Sequence, residues 1–170
     1  MKSSDDHAVA AYIGLGGNLG DAARTLRSAA RDLTGLPSTR LLAASSLYRS
    51  PPLGSTDQPD YHNAVVKLST GLEPERLLEE LFAIENAHGR VRTEVRWGPR
   101  TLDLDLLLHG DTVCHTAQLV LPHPGLRERA FVLYPLFEID PDLVLPRGER
   151  LSDLLAQVEE GGLVGAGTLI

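Results

Sequence analysis

The stretch RWGPRTLDLDLLL, residues 96–108, decides how this chain is organised. From Leu102 to Leu108 it predicts a β-strand, on which successive side chains face opposite sides. Leu102, Leu104 and Leu106 then point into a core, while Asp103 and Asp105 leave the other face together, their Cα atoms about 7 Å apart. Aspartate is disfavoured in strands, and two on one face repel unless something positive lies between them. Magnesium suits that position, because it is a hard ion bound through one or two carboxylates plus water and phosphate oxygens. The plainer reading is a solvent-facing polar stripe on an ordinary amphipathic strand. Against it stand Arg90, Arg92, Arg96 and Arg100 in the preceding segment, since guanidinium forks match phosphate oxygens. Together the two features describe a nucleotide-triphosphate site.

Upstream, the apolar run Ala8 to Leu15 suits a buried strand ending in glycines. Asp21 is placed to cap a helix running to about Leu33, with Ala22, Leu26, Ala29, Ala30 and Leu33 inward. Leu41 to Tyr48 reads as a second strand and Tyr61 to Ser69 as a third, separated by the proline-rich loop 50–60. Pro74 opens a helix that continues to about His88, its apolar face made by Leu77, Leu78, Leu81, Phe82 and Ile84. With the Leu102–Leu108 strand the order is β-α-β-β-α-β. That is a ferredoxin-like α+β domain, a mainly antiparallel sheet with helices packed on one face. Downstream come an extended piece at 118–121, a helix from about Leu126 to Glu138 and a last helix from Leu151 to Glu159. Residues 1–160 are expected to form the single domain, and the glycine-rich tail 161–170 to be mobile.

Composition narrows the function. A net charge of −7 argues against a nucleic-acid partner, which usually needs a basic face. Cys114 is alone, so no intrachain disulfide or cysteine-based zinc site can form. No apolar run approaches membrane-spanning length and no secretory leader is evident, so a cytoplasmic protein is expected. The glycine stretch Gly14 to Gly20 (GLGGNLG) satisfies neither the dinucleotide fingerprint nor the phosphate-binding loop. It reads as a tight strand-to-helix turn.

A second constellation is Ser50, Pro51, Pro52, Leu53 and Gly54 with Tyr61, His62 and Asn63, joined later by Phe131. A flat heterocycle needs an aromatic face for stacking and a group that both donates and accepts hydrogen bonds, which asparagine provides. Each residue also has an ordinary structural reading: Tyr61 as strand core, Asn63 as a turn residue, Phe131 as helix core. His123, in LPHPG (residues 121–125), is held in a rigid turn and is placed to hydrogen-bond a phosphate, or to be a loop histidine of no special role. His7, His88, His109 and His115 show no metal-ligand spacing. A ferredoxin-like module that binds RNA or senses a small molecule is the alternative from another class, although no RNA-reading pattern of aromatics is found.

The run RWGPRTLDLDLL, with PPLG…DQPDYHNAVV before it and LPHP…RAFVLYPLFEIDP after it, resembles the 6-hydroxymethyl-7,8-dihydropterin pyrophosphokinases of folate biosynthesis. The resemblance spans about residues 9 to 155 in one register. It implies a monomeric ferredoxin-like enzyme that uses ATP and a dihydropterin alcohol to give AMP and the pterin diphosphate, with two magnesium ions. By that resemblance Asp103 and Asp105 hold the metal, and Arg90 and Arg100 are the arginines most tied to catalysis. Glu85, Arg92, Arg96, Trp97, Arg100, Leu106, His123 and Arg129 match nucleotide contacts. Ser50, Pro51, Leu53, Tyr61, Asn63, Trp97 and Phe131 match the pterin pocket, with Tyr61 and Phe131 on either side of the ring. Three positions depart from the family pattern: Gly17 stands for a serine, Phe82 for a glutamine found in some members, and Pro124 for a tyrosine found in some.

Residues 90–100 lack periodicity and read as a loop, expected to fold over bound ATP and exclude water. Trypsin should therefore cut the arginine-rich segment more slowly when ATP and magnesium are present. An unchanged cleavage rate would remove the lid.

Overall fold

β1 (Val9–Gly17) and β4 (Tyr61–Thr70) pair antiparallel along their whole lengths, from Val9 opposite Thr70 to Gly17 opposite His62. This pair is the centre of the molecule, a computed structural model that describes residues 7–52, 57–89 and 101–170. β5 (Asp103–His109) pairs antiparallel with the other side of β1. Beyond β4 lie β2 (Thr39–Ala44) and β3 (Ser46–Ser50), and β8 (Val164–Thr168) adds to β3. The six-stranded sheet runs β5-β1-β4-β3-β8, with β2 also on β4. A separate two-stranded ribbon joins β6 (Cys114–His115) to β7 (Val120–Leu121).

α1 (Ala22–Thr34) starts where expected, its Asp21 side chain accepting the Arg24 N–H. It buries Ala22, Leu26, Ala29, Ala30 and Leu33, the five residues its periodicity marks. α2 (Pro74–Ala87) starts at its proline and buries Leu77, Leu81 and Ile84. Phe82 departs from the expected inner face and is 36% exposed. α1 and α2 cover the face that carries Ala11, Ile13, Leu15, Ala64, Val66, Leu104 and Leu106.

The expectation of helices on one face holds only for these two. α3 (Ala130–Ile139) and the short α4 (Leu151–Leu155) cover the opposite face, where Leu133, Leu136 and Leu151 pack on Tyr12, Val65 and Leu108. Polar ties fix α3 there. Glu138 accepts the Ser46 N–H, the Ser46 hydroxyl at 2.9 Å and the Tyr48 hydroxyl at 2.5 Å. Asp140 accepts the Tyr12 hydroxyl, and the Lys67 ammonium at 3.1 Å.

Other boundaries moved for physical reasons. The second expected strand is split at Ser45, whose hydroxyl accepts the Val65 N–H at 2.9 Å where a backbone carbonyl would have done so. α3 begins four residues later than expected, because residues 124–128 form turns after Pro122. The last helix ends at Leu155. The tail expected to be mobile carries β8. Leu163 and Leu169 are buried at its two ends, and the Arg27 guanidinium donates to the Thr168 carbonyl at 3.0 Å. Leu169 is 2% exposed, so Leu169→Ala should lower unfolding free energy by about 2–4 kcal/mol in a denaturant titration. A loss below about 0.5 kcal/mol would mean the tail is not docked.

Candidate active site

Strand alternation builds one cavity at the carboxyl end of β1. Positions 11, 13 and 15 of β1 face α1 and α2. Positions 14 and 16, on the α3 side, are both glycines. Gly14 sits opposite Asp105 on β5 and Val65 on β4, and Gly16 opposite Asp103 and Asn63. Two missing side chains thus leave a trough between the aspartate pair and the asparagine. A β-carbon at Gly16 would stand 3.2 Å from the Asn63 side-chain oxygen, tighter than ordinary van der Waals contact. The glycine stretch is therefore not merely a turn: its first half is strand, and it is the floor of the site.

The cavity has a volume of about 270 Å³. Asp103, Asp105, His123 and Arg129 line it together with Ser50, Pro51, Tyr61, Asn63 and Phe131. Residues separated by 80 positions in the chain thus share one hollow. Asn63 is 5% exposed, and its amide donates to the Ser50 hydroxyl at 2.9 Å. Ser50 thus enters through its side chain, fixing which edge of the amide faces the trough. Tyr61 and Phe131 bring two aromatic rings to the same cavity, and the Arg129 guanidinium lies 5.8 Å above the Phe131 ring.

His123 sits beside the acidic pair, its Nε2 3.8 Å from an Asp105 carboxylate oxygen. That separation is too long for a hydrogen bond. Burial, helped by the Arg129 charge and opposed by Asp103, pushes the imidazole down to about 4. The ring is neutral at pH 7. Its Nδ1 accepts the Gly125 N–H at 3.0 Å, which puts the proton on Nε2, facing Asp105. Gly125 has a second use: a β-carbon there would lie 2.4 Å from the Arg129 guanidinium. Only a glycine lets that side chain lie against the loop.

Two predicted residues sit differently. Leu106 is buried between the sheet and α1/α2, on the face away from the cavity, so any nucleotide contact it makes is through its main chain. Glu85 is 1% exposed and accepts the Leu104 N–H at 2.8 Å. Neither it nor Leu106 lines the cavity. Leu53, Arg90, Arg92, Arg96, Trp97 and Arg100 lie outside the described residues.

Sequence reading missed Asn18 and Gly125. Asn18 is 2% exposed and its amide donates to Gln58 and to the Pro59 carbonyl, both at 2.9 Å, tying loop 57–60 to the end of β1. Nothing local marks it, since both partners lie forty residues on. Gly14 and Gly16 had a legible signal: glycines two apart share a strand face as the two aspartates do. Of the unassigned histidines, His88 pairs with Asp32 and His109 bonds the Leu72 carbonyl, each at 2.8 Å. Those are structural roles.

The carboxylate pair suits a hard divalent ion. Among the described residues no group of three or more His, Cys, Asp or Glu could hold a metal alone. Two carboxylates on one face, both lining a cavity, fit an ion that completes its shell with phosphate and water. No helix among the described residues is long and apolar enough to cross a membrane.

Comparison with known proteins gives one consistent result. Residues 12–141 match the family model for 7,8-dihydro-6-hydroxymethylpterin-pyrophosphokinase. A 2-amino-4-hydroxy-6-hydroxymethyldihydropteridine pyrophosphokinase of Haemophilus influenzae is 46% identical over 92% of this chain and 97% of its own length. The protein of that name from Pseudomonas aeruginosa is 50% identical over 85% of this chain and 89% of its own length. In fold, the chain resembles the wild-type Plasmodium falciparum HPPK-DHPS solved with pteroate, at a TM-score of 0.69 and 13% identity. That match covers 88% of this chain and 42% of the longer one.

In the protein without nucleotide, NMR titration of the His123 ring should give a midpoint near 4, well below the ordinary 6.5. The sign follows from which state takes the proton. Between pH 6.5 and 4 the unfolded chain binds a proton that the folded site refuses, so acidification through this window destabilises the fold. A midpoint at or above 6.5 would show the aspartates outweighing burial.

Proposed function

The chain belongs to the 7,8-dihydro-6-hydroxymethylpterin-pyrophosphokinase family, and from that premise we propose that it transfers the pyrophosphoryl group of ATP to the hydroxymethyl group of 6-hydroxymethyl-7,8-dihydropterin. The products are AMP and the pterin diphosphate, in a step of folate biosynthesis. One observation supports this reading above the others: a single cavity carries a carboxylate pair and a pair of aromatic rings with an asparagine between.

The residues divide the work by chemistry. Tyr61 and Phe131 stack on the two faces of the pterin, and Asn63, oriented by Ser50, bonds its edge. Pro51 and the backbone around Ser50 and Leu53 close the ring's other side. Asp103 and Asp105 would hold two magnesium ions against the triphosphate. The metal would lower the pKa of the attacking hydroxyl and neutralise charge on the phosphates. Arg129, with Arg90, Arg92, Arg96 and Arg100, grips phosphate oxygens, and Trp97 closes over the site. His123 offers a neutral Nε2–H as a phosphate donor.

The reaction is in-line attack of the hydroxymethyl oxygen on the β-phosphorus. One P–O bond forms as the bond from the β-phosphorus to the α,β-bridging oxygen breaks; that oxygen keeps the electron pair and leaves on AMP, and the hydroxyl proton is released to solvent. Such transfers depend mainly on positioning and charge stabilisation. His123 is the one imidazole lining the cavity, and its protonated Nε2 makes it a donor and not a base. Both substrates are small and diffusible, which suits a cytoplasmic enzyme acting as a monomer.

Protein mixed with ATP, magnesium and the dihydropterin alcohol should release AMP in step with pterin diphosphate, and none when the alcohol is omitted. ADP in place of AMP would make it a simple phosphoryltransferase. Asp103→Ala and Asp105→Ala should each lower kcat on the order of 10³-fold while circular dichroism stays unchanged. Near-normal turnover in either variant refutes the metal assignment.

A further inference from the structure

A carboxylate that is 1% exposed needs a reason, because burying a charge is costly unless hydrogen bonds hold it. Glu85 sits near the end of α2 on the side turned to the sheet. Its Oε2 accepts the Leu104 N–H at 2.8 Å, and Leu104 is the residue between Asp103 and Asp105. β5 is an outer strand with β1 on one side, so among the described residues a backbone N–H turned outward from it has no strand to receive it. Glu85 takes that place. Three residues further along, the Leu107 carbonyl accepts the His123 N–H at 3.0 Å. The outer edge of β5 is thus held on either side of Asp105 by one side chain and one loop.

We propose that Glu85 is a positioning residue for the metal-binding pair. By holding the Leu104 N–H it fixes the backbone between the two aspartates, and so the spacing and direction of their carboxylates. Family resemblance makes Glu85 a nucleotide contact, whereas its side chain lies under the strand and acts through it. Groups that orient metal ligands commonly affect metal affinity by 10–100-fold. This inference rests on the reading of Asp103 and Asp105 as the magnesium ligands.

Mn²⁺ in place of Mg²⁺ gives a readout independent of turnover: free Mn²⁺ is followed by electron paramagnetic resonance with the full chain and α,β-methylene-ATP. Glu85→Met keeps length and removes the acceptor, and it should weaken Mn²⁺ binding about 10-fold or more. Pterin affinity should change less than about twofold in the same variant, being set on β4 and α3. Glu85→Gln keeps an oxygen acceptor and should restore most of the loss. Asp103→Ala, run alongside, separates the two readings. If it binds Mn²⁺ as tightly as the unaltered protein, the metal assignment fails. If it loses Mn²⁺ while Glu85→Met keeps it, only the role of Glu85 is overturned. Should Glu85→Met not fold, Glu85→Gln decides through Leu104 amide exchange. Mn²⁺ affinity that follows Leu104 protection supports the proposal; affinity that moves without it, or stays when protection is lost, overturns it.

Discussion

Two like charges two residues apart on one strand face set the terms for the rest of this molecule. Strand alternation gives Asp103 and Asp105 no choice of side once Leu104 and Leu106 are buried under α1 and α2. A one-residue slip would bury both acids and expose three leucines. The core therefore enforces the acidic pair, and the pair needs positive charge on the α3 side. On that side Arg129 supplies a positive charge, held against the Gly125 turn beside the cavity, while His123 stays neutral and supplies none.

Placing the second helical layer there is what turns a polar strand face into a site. Glu138 and Asp140 anchor the far end of α3 through Ser46, Tyr48, Tyr12 and Lys67. The near end then delivers Arg129 and Phe131 to the trough. The Asp140 ties to Tyr12 and Lys67 are half-buried, so losing one leaves its partner unsatisfied, whereas Glu138 is exposed and its ties lie open to water. Tyr12 and Tyr48 both have their hydroxyl pKa raised, by burial first and then by the acid each one faces, so both remain neutral donors across the working range.

What could be read from the residues alone was whatever repeats locally. The inner face of α1, the proline start of α2 and the in/out parity of β5 are periodic patterns, and each sits as its pattern says. The cavity's membership was also legible: Asp103 and Asp105 through strand spacing, Tyr61, Asn63, His123 and Phe131 through side-chain chemistry that left ordinary readings open, and Arg129 only through likeness to a family. Long-range facts were not legible. Ser45 breaks a strand because of a bond to Val65, twenty residues away. β8 exists because Leu163 and Leu169 find cover, in a tail whose glycines suggest none. α3 begins late because the turn after Pro122 occupies residues that favour helix by composition.

Glu85 shows a different limit. Helical periodicity places it on the inner face of α2, between Leu78 and Leu81, with Glu75 and Glu79 turned outward. Periodicity does not say why a carboxylate stands at a buried position. The reason comes from β5, which as an outer strand of the sheet presents an N–H that no strand among the described residues receives. An unpaired backbone donor beneath a helix costs about as much as a lost hydrogen bond, and a carboxylate is the strongest acceptor a helix can offer it. Because that donor belongs to the residue between the two metal-facing acids, satisfying the sheet edge and setting the geometry of the site are one event. The edge of a sheet is usually a liability to be covered; here its cover reaches the chemistry through a single backbone amide.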